Sequence, residues 1–143
     1  CLINMARKWL MVDICSVKTF NYEKNYDLVY IIVRSLTALR NSGDPILSQG
    51  VQCKLLSPGD ILFKKYLSLK RNGNWNIVTF ENIYRPEFES QISESQEAQL
   101  MLQSLALADK QIALVCYCDS PFLCHRRIIG EMLENLGAEV GYY

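Results

Sequence analysis

Residues 111–137 read QIALVCYCDSPFLCHRRIIGEMLENLG, and the fold turns on this stretch. Gln111–Cys118 is an apolar run of strand length with no polar face, as expected of a strand covered on both sides. Asp119-Ser-Pro-Phe-Leu then makes a tight loop. From Cys124 to Leu136, Ile128, Ile129, Met132, Leu133 and Leu136 recur at helical spacing and predict one inner face. Gly137 stands where such a helix ends.

Working outward, Asp27–Ser35 (DLVYIIVRS) repeats the buried-strand signature through VYIIV, and Lys8–Ser16 and Ala138–Tyr142 read as further strands. Asn41–Gly50, with two Gly and a Pro, reads as a loop. Ser57-Pro58-Gly59-Asp60 predicts a helix start capped by Ser57, with Ile61, Leu62, Tyr66 and Leu69 facing inward. Thr79–Ser90 reads as helical with a break or kink at Pro86. Ser93–Ala108 opens on a capping pattern and carries Leu100, Met101, Leu105 and Leu107 as its expected buried stripe. The order predicts an α/β sandwich with a mostly parallel central sheet flanked by helices, one domain over residues 1–143.

Composition narrows the function classes. Half of the 143 residues are apolar and a fifth are charged, which excludes disorder. Fifteen Lys+Arg balance fifteen Asp+Glu, so overall charge favours neither nucleic acid nor a membrane. Lys64, Lys65, Lys70 and Arg71 read as a solvated helix face, and direct duplex DNA binding is not expected. No apolar run reaches the length of a membrane span. Six unevenly spaced cysteines, without a secretory leader pattern ahead of them, point to free thiols in a reducing cytoplasm. A chain that starts at Cys1 reads as a fragment or processed form, with Met5 as a candidate natural start.

The chemistry gathers in Cys116–Arg127. In a parallel sheet, ligands bind beyond the carboxyl ends of the strands. A helix starting near Cys124 offers unpaired N–H groups to an anion there. Arg126 and Arg127 sit in its first turn, where positive charge is unfavourable unless an anion offsets it. His125 is the chain's one histidine and a candidate proton carrier. Cys124, at a helix N-terminus beside His and Arg, has the setting of an activated thiolate. Cys116 and Cys118 alternatively read as small apolar strand residues packed in the core, Cys116 above all. Cys116, Cys118, Cys124 and His125 also form a candidate zinc donor set, although a strand Cys-x-Cys with a helical Cys-His pair departs from the usual knuckle spacing. Phosphatase and rhodanese loops place five residues between Cys and Arg, whereas seven separate Cys118 from Arg126. Arg34 closes the strand built on VYIIV and is expected at the same crevice, or else paired on the surface with Asp44.

Cys-x-Cys, a short loop, Cys-His-Arg-Arg and an amphipathic helix together resemble the DUF488 family. Val29–Leu36 (VYIIVRSL), Leu56-Ser57-Pro58 with Leu62, Phe63 and Tyr66, and Trp75, Phe80 and Tyr84 extend the likeness over about residues 27–140. The resemblance implies an α/β fold found in bacterial and phage proteins, and an association with nucleotide or nucleic-acid processing. It implies a shared site of Arg34, Cys124, His125 and Arg126. Many members carry an acidic residue near Cys118, a part that falls here to Asp119.

Three functions follow as expectations. The first is an enzyme on a nucleotide-type substrate: Cys124 and His125 act chemically, while Arg34, Cys118, Asp119, Arg126 and Arg127 hold the ligand. It needs no cofactor. The second is a non-catalytic module that binds or sequesters a small phosphorylated ligand. The third is an interaction domain with a Cys/His zinc site, in which Tyr22, Tyr26, Trp75, Phe80 and Tyr84 form an exposed patch or, instead, ordinary core packing.

Overall fold

Five short strands, β1 (Val12–Ser16), β2 (Leu28–Ile31), β3 (Val51–Gln52), β4 (Ile112–Cys116) and β5 (Val140–Tyr142), form one all-parallel sheet in the order β3-β2-β4-β1-β5. The computed structural model describes residues 11–118 and 120–143. The expected α/β architecture is present. The first predicted strand begins at Lys8, so its residues 8–10 lie outside the described residues, as do Cys1, Met5 and Asp119. β3 is a two-residue edge strand, too short to leave a pattern in the sequence.

β4 lies between β1 and β2, which explains its uniform apolarity: every residue of Ile112–Cys116 is buried. In register, Ser16 stands beside Cys116 and Ile14 beside Leu114. Such neighbours share a face of the sheet. The helix α6 (His125–Asn135) packs against β1, β4 and β5. It buries Ile128, Ile129 and Leu133 as expected, but Met132 is half-buried and Leu136 is exposed. Gly137 ends the helix with φ +96°, a conformation open to glycine.

The remaining helices are α1 (Thr37–Ser42), α2 (Asp60–Arg71), α3 (Ile77–Thr79), α4 (Arg85–Glu94) and α5 (Gln96–Leu107). The loop read over Asn41–Gly50 instead holds the end of α1, a left-handed Gly43 and a 3-10 turn at Pro45–Ser48. Gly59, not Ser57, precedes α2; the buried Ser57 hydroxyl donates to the Lys54 carbonyl at 2.7 Å, while Gly59 N–H donates to Gln91 Oε1 at 2.7 Å. Leu62 is the buried apolar residue of α2, and Ile61 points to solvent. Between α3 and α4 the chain passes through a π-helical turn, Phe80–Tyr84, directly ahead of Pro86. The break anticipated at Pro86 thus appears as a widened turn before it, and the proline sits in the first turn of α4, where its missing N–H costs little. On α5, Ser95 Oγ accepts from Ala98 N–H at 3.2 Å. The buried stripe is Ala98, Leu102 and Leu105, whereas Leu100 and Leu107 are exposed. The small Ala98 hid the phase of that stripe.

Candidate functional site

β2 and β4 are parallel neighbours, so their carboxyl ends open on one side of the sheet. A cavity of about 800 Å³ lies there. Its thiol end is formed by Cys118, Cys124 and His125; Arg34 and the aromatic side chains of Phe63, Tyr66, Trp75 and Tyr84 also line it. The rings pack on each other edge to face, Tyr66 against Trp75 at 4.7 Å and Trp75 against Tyr84 at 5.3 Å between centroids. Phe80 and Tyr84 are buried, Trp75 and Tyr26 half-buried, and only Tyr22 of the five suggested patch aromatics is exposed. Core and wall packing, not an exposed patch, is their arrangement.

Arg34 follows β2 and enters the cavity with its guanidinium 4.3 Å from the centre of the Phe63 ring. Nη2 donates to Asp60, not Asp44, and Nε is buried with no hydrogen-bond partner. The Arg34 hydrogen bond holds the exposed Asp60 carboxyl below its usual range.

His125 is the first residue of α6 and is 5% exposed. One ring nitrogen, Nε2, lies 2.7 Å from the Ile32 carbonyl oxygen. That oxygen only accepts, so Nε2 carries the hydrogen. Burial lowers the His125 pKa and keeps the ring neutral. Nδ1 is then an acceptor, 3.6 Å from Cys124 Sγ. Phe88 fixes the ring edge-on, 5.7 Å between centroids.

The sulfur atoms of Cys116, Cys118 and Cys124 all lie within 4.8 Å of one another. Cys116 and Cys124 are 3.2 Å apart. Arg126, 2% exposed, donates from Nη1 to Cys116 Sγ at 3.1 Å and to the Cys118 carbonyl at 2.7 Å, and from Nη2 to the Tyr143 carbonyl at 3.5 Å. Burial opposes ionisation of Cys116, but hydrogen bonds from the Cys118 and Cys124 thiols, with the Arg126 guanidinium behind them, hold its pKa well below the ordinary thiol value. The Cys116 bond pushes Cys118 up to about 12, and burial raises Cys124 well above its usual range. The surroundings thus favour ionisation at Cys116 over Cys124, the reverse of what the helix-start setting of Cys124 predicts. Three cysteine sulfurs this close are also a donor set able to hold a metal ion.

The structure thus brings Arg34, Cys118, Cys124 and His125 to one cavity. Arg126 stands behind the thiols and engages sulfur and carbonyl groups. Arg127 lies away from the cavity, its Nε donating to Glu131 at 3.2 Å and its guanidinium 5.7 Å from the Phe122 ring. Asp119 lies outside the described residues. Sequence reasoning missed the Ile32 carbonyl, the Asp60 partner and the charge at Cys116. The first two depend on contacts between distant segments, while the third had a visible signal in the closeness of Cys116 to Arg126 along the chain.

Among the described residues no helix is long and apolar enough to cross a membrane. No curated protein and no solved structure matches the chain. One family model does, described as the active DUF488-N3 subclade, and its match runs over residues 16–137. It starts upstream of the boundary expected near Asp27. With most of its length covered, the chain belongs to this subclade, DUF488-N3a.

Proposed function

We propose that this protein is a thiol-dependent enzyme acting on a nucleotide-type substrate held in the cavity between β2, α2 and the start of α6. One observation carries the reading: a single cavity joins an aromatic wall, a guanidinium and reactive side chains. Its volume, about 800 Å³, suits a ligand of nucleotide size. The rings of Phe63, Tyr66 and Trp75 offer flat apolar surface to a base. Arg34, with Nε unsatisfied, takes the phosphate. The cysteine end is the reacting end. His125 Nδ1 accepts the proton of Cys124, and Cys118 presents its sulfur to the ligand. Arg126 serves by holding the cluster's negative charge, in place of the phosphate contact read from sequence. The subclade's description as active favours catalysis over sequestration. The described cysteines are free, in keeping with a reducing compartment such as the cytoplasm.

The same three sulfurs are the donor set of a thiophilic ion such as zinc, and the metal-free protein is the form that carries out this chemistry. The test is a panel of nucleosides and nucleoside mono-, di- and triphosphates, scored for binding and for conversion. Binding lost in Trp75→Ala and Arg34→Ala, with conversion lost in Cys124→Ser while binding persists, is the expected pattern. Tight binding with every ligand recovered unchanged makes the protein a sequestering module. No binding across the panel removes the nucleotide.

A further inference from the structure

We infer that Cys116, Cys118 and Cys124 form a binding site for one zinc ion at the floor of the cavity. The proposal stands on the cluster alone and not on the nucleotide reading.

Four observations carry it. The first is distance. A tetrahedral zinc ion with Zn–S bonds of about 2.3 Å sets its sulfurs roughly 3.8 Å apart. The three sulfurs lie within 4.8 Å of one another, with Cys116 and Cys124 at 3.2 Å. Adjustments below an ångström at each sulfur bring them onto the ion. The second is charge. Three thiolates around a divalent ion leave one net negative charge, costly in a buried site. The Arg126 guanidinium, always protonated, lies 3.1 Å from Cys116 Sγ and supplies the one positive charge that closes the balance. A monovalent soft ion leaves a negative charge uncompensated, so the balance favours zinc.

The third is the histidine. A zinc-bound imidazole usually gives its other N–H to a carbonyl or carboxylate. His125 already does so, with Nε2 on the Ile32 carbonyl at 2.7 Å, which leaves Nδ1 as the acceptor. Nδ1 is 3.6 Å from Cys124 Sγ but stands outside the group of three sulfurs that lie within 4.8 Å of one another, so the sulfurs are the donors and the imidazole completes the site only by moving toward them. The fourth is access. Cys118 and Cys124 line the cavity, which gives the ion an entry path. With zinc bound, the sulfurs are ligands and their nucleophilic chemistry stops.

The test adds zinc alone to the reduced, metal-stripped full chain against a chromophoric chelator, with native mass spectra read in parallel. One zinc per chain is expected. It protects Cys118 from iodoacetamide, and EDTA restores labelling. Cys118→Ser, at a half-exposed position that tolerates the change, weakens zinc by more than the 10–100-fold typical of outer contacts, and Arg126→Gln weakens it by about 10–100-fold. Cadmium in place of zinc gives a thiolate charge-transfer absorption that drops in Cys118→Ser. No zinc taken up at equimolar concentration overturns the proposal. So does zinc that binds equally well to Cys118→Ser. Neither result touches the nucleotide reading, whose binding test uses no metal.

Discussion

Arg126 Nη1 lies 3.1 Å from Cys116 Sγ, and both side chains are buried. A guanidinium in the first turn of a helix is unfavourable by the helix dipole. Here it reaches toward the end of β4, where it meets the Cys116 sulfur and a backbone carbonyl that needs a donor. The arginine thus ties the start of α6 to the end of β4.

Arg126→Gln is therefore a stability variant before it is a binding variant. It loses hydrogen bonds from a charged donor to groups that stay buried, with an expected cost of about 1.5–3 kcal/mol. Urea unfolding shows this as a lower midpoint at unchanged slope. Arg126→Lys keeps the charge but lacks the second guanidinium nitrogen, which donates to the Tyr143 carbonyl while Nη1 serves Cys116 and Cys118, so it recovers only part of the loss. A midpoint equal to wild type in Arg126→Gln excludes this role.

Cys118 is the half-exposed member of the cluster, while Cys15, Cys53, Cys116 and Cys124 are buried. In the native, metal-free protein, iodoacetamide followed by peptide mapping labels Cys118 first among these five. Labelling of Cys116 and Cys124 follows global or local opening and rises with urea. Prior modification of Cys124 refutes the assigned geometry.

The parts of this fold that the sequence displays are those whose pattern is local. The apolar run Ile112–Cys116 announces a central parallel strand because both its faces are covered, and Gly137 announces the end of α6. The two-residue β3 and the π-helical turn at Phe80–Tyr84 have no such pattern, since both answer to packing against distant segments. At the site, Cys124 and His125 are legible from their place at a helix start. The burial of Arg126 is not, because an arginine two residues into a helix reads equally as a phosphate ligand until the neighbouring strand is known. Arg34 illustrates the same limit: its strand-end position is visible, but its partner, Asp60, comes from a different helix.

Tyr26, bonded to Asp13, is one of the groups whose ionisation limits stability at alkaline pH, alongside Cys15, Tyr84 and Tyr142. The buried Asp13 Oδ2 accepts from Tyr26 Oη at 2.6 Å and from Lys24 Nζ at 2.7 Å. Burial, then the hydrogen bond to Asp13, raises the Tyr26 pKa above its ordinary value. A raised folded-state value means that the protonated phenol stabilises the fold below about pH 10, and that this contribution is lost as pH climbs past the unfolded-state value. Tyr26→Phe costs about 1–3 kcal/mol at pH 7. It also flattens the fall in stability between about pH 9 and 11. Parallel curves for wild type and variant over that range remove Tyr26 as the cause.

Asp60 competes for the same guanidinium that the proposed phosphate needs. It is a surface partner, its side chain 75% exposed, so solvent screens the pair and it contributes little to folding. Arg34→Ala thus leaves the unfolding midpoint nearly unchanged while it weakens a nucleotide monophosphate by about 10–100-fold, the loss of one charge-assisted contact. Added salt weakens the wild type more than the variant, because screening acts on the charge that the variant lacks. Asp60→Asn moves the other way: with no carboxylate to displace, Arg34 meets the phosphate at lower cost and affinity rises. Calorimetric titration of the three proteins at two salt concentrations reads all of this. If Asp60→Asn binds more weakly than wild type, the phosphate does not sit at Arg34.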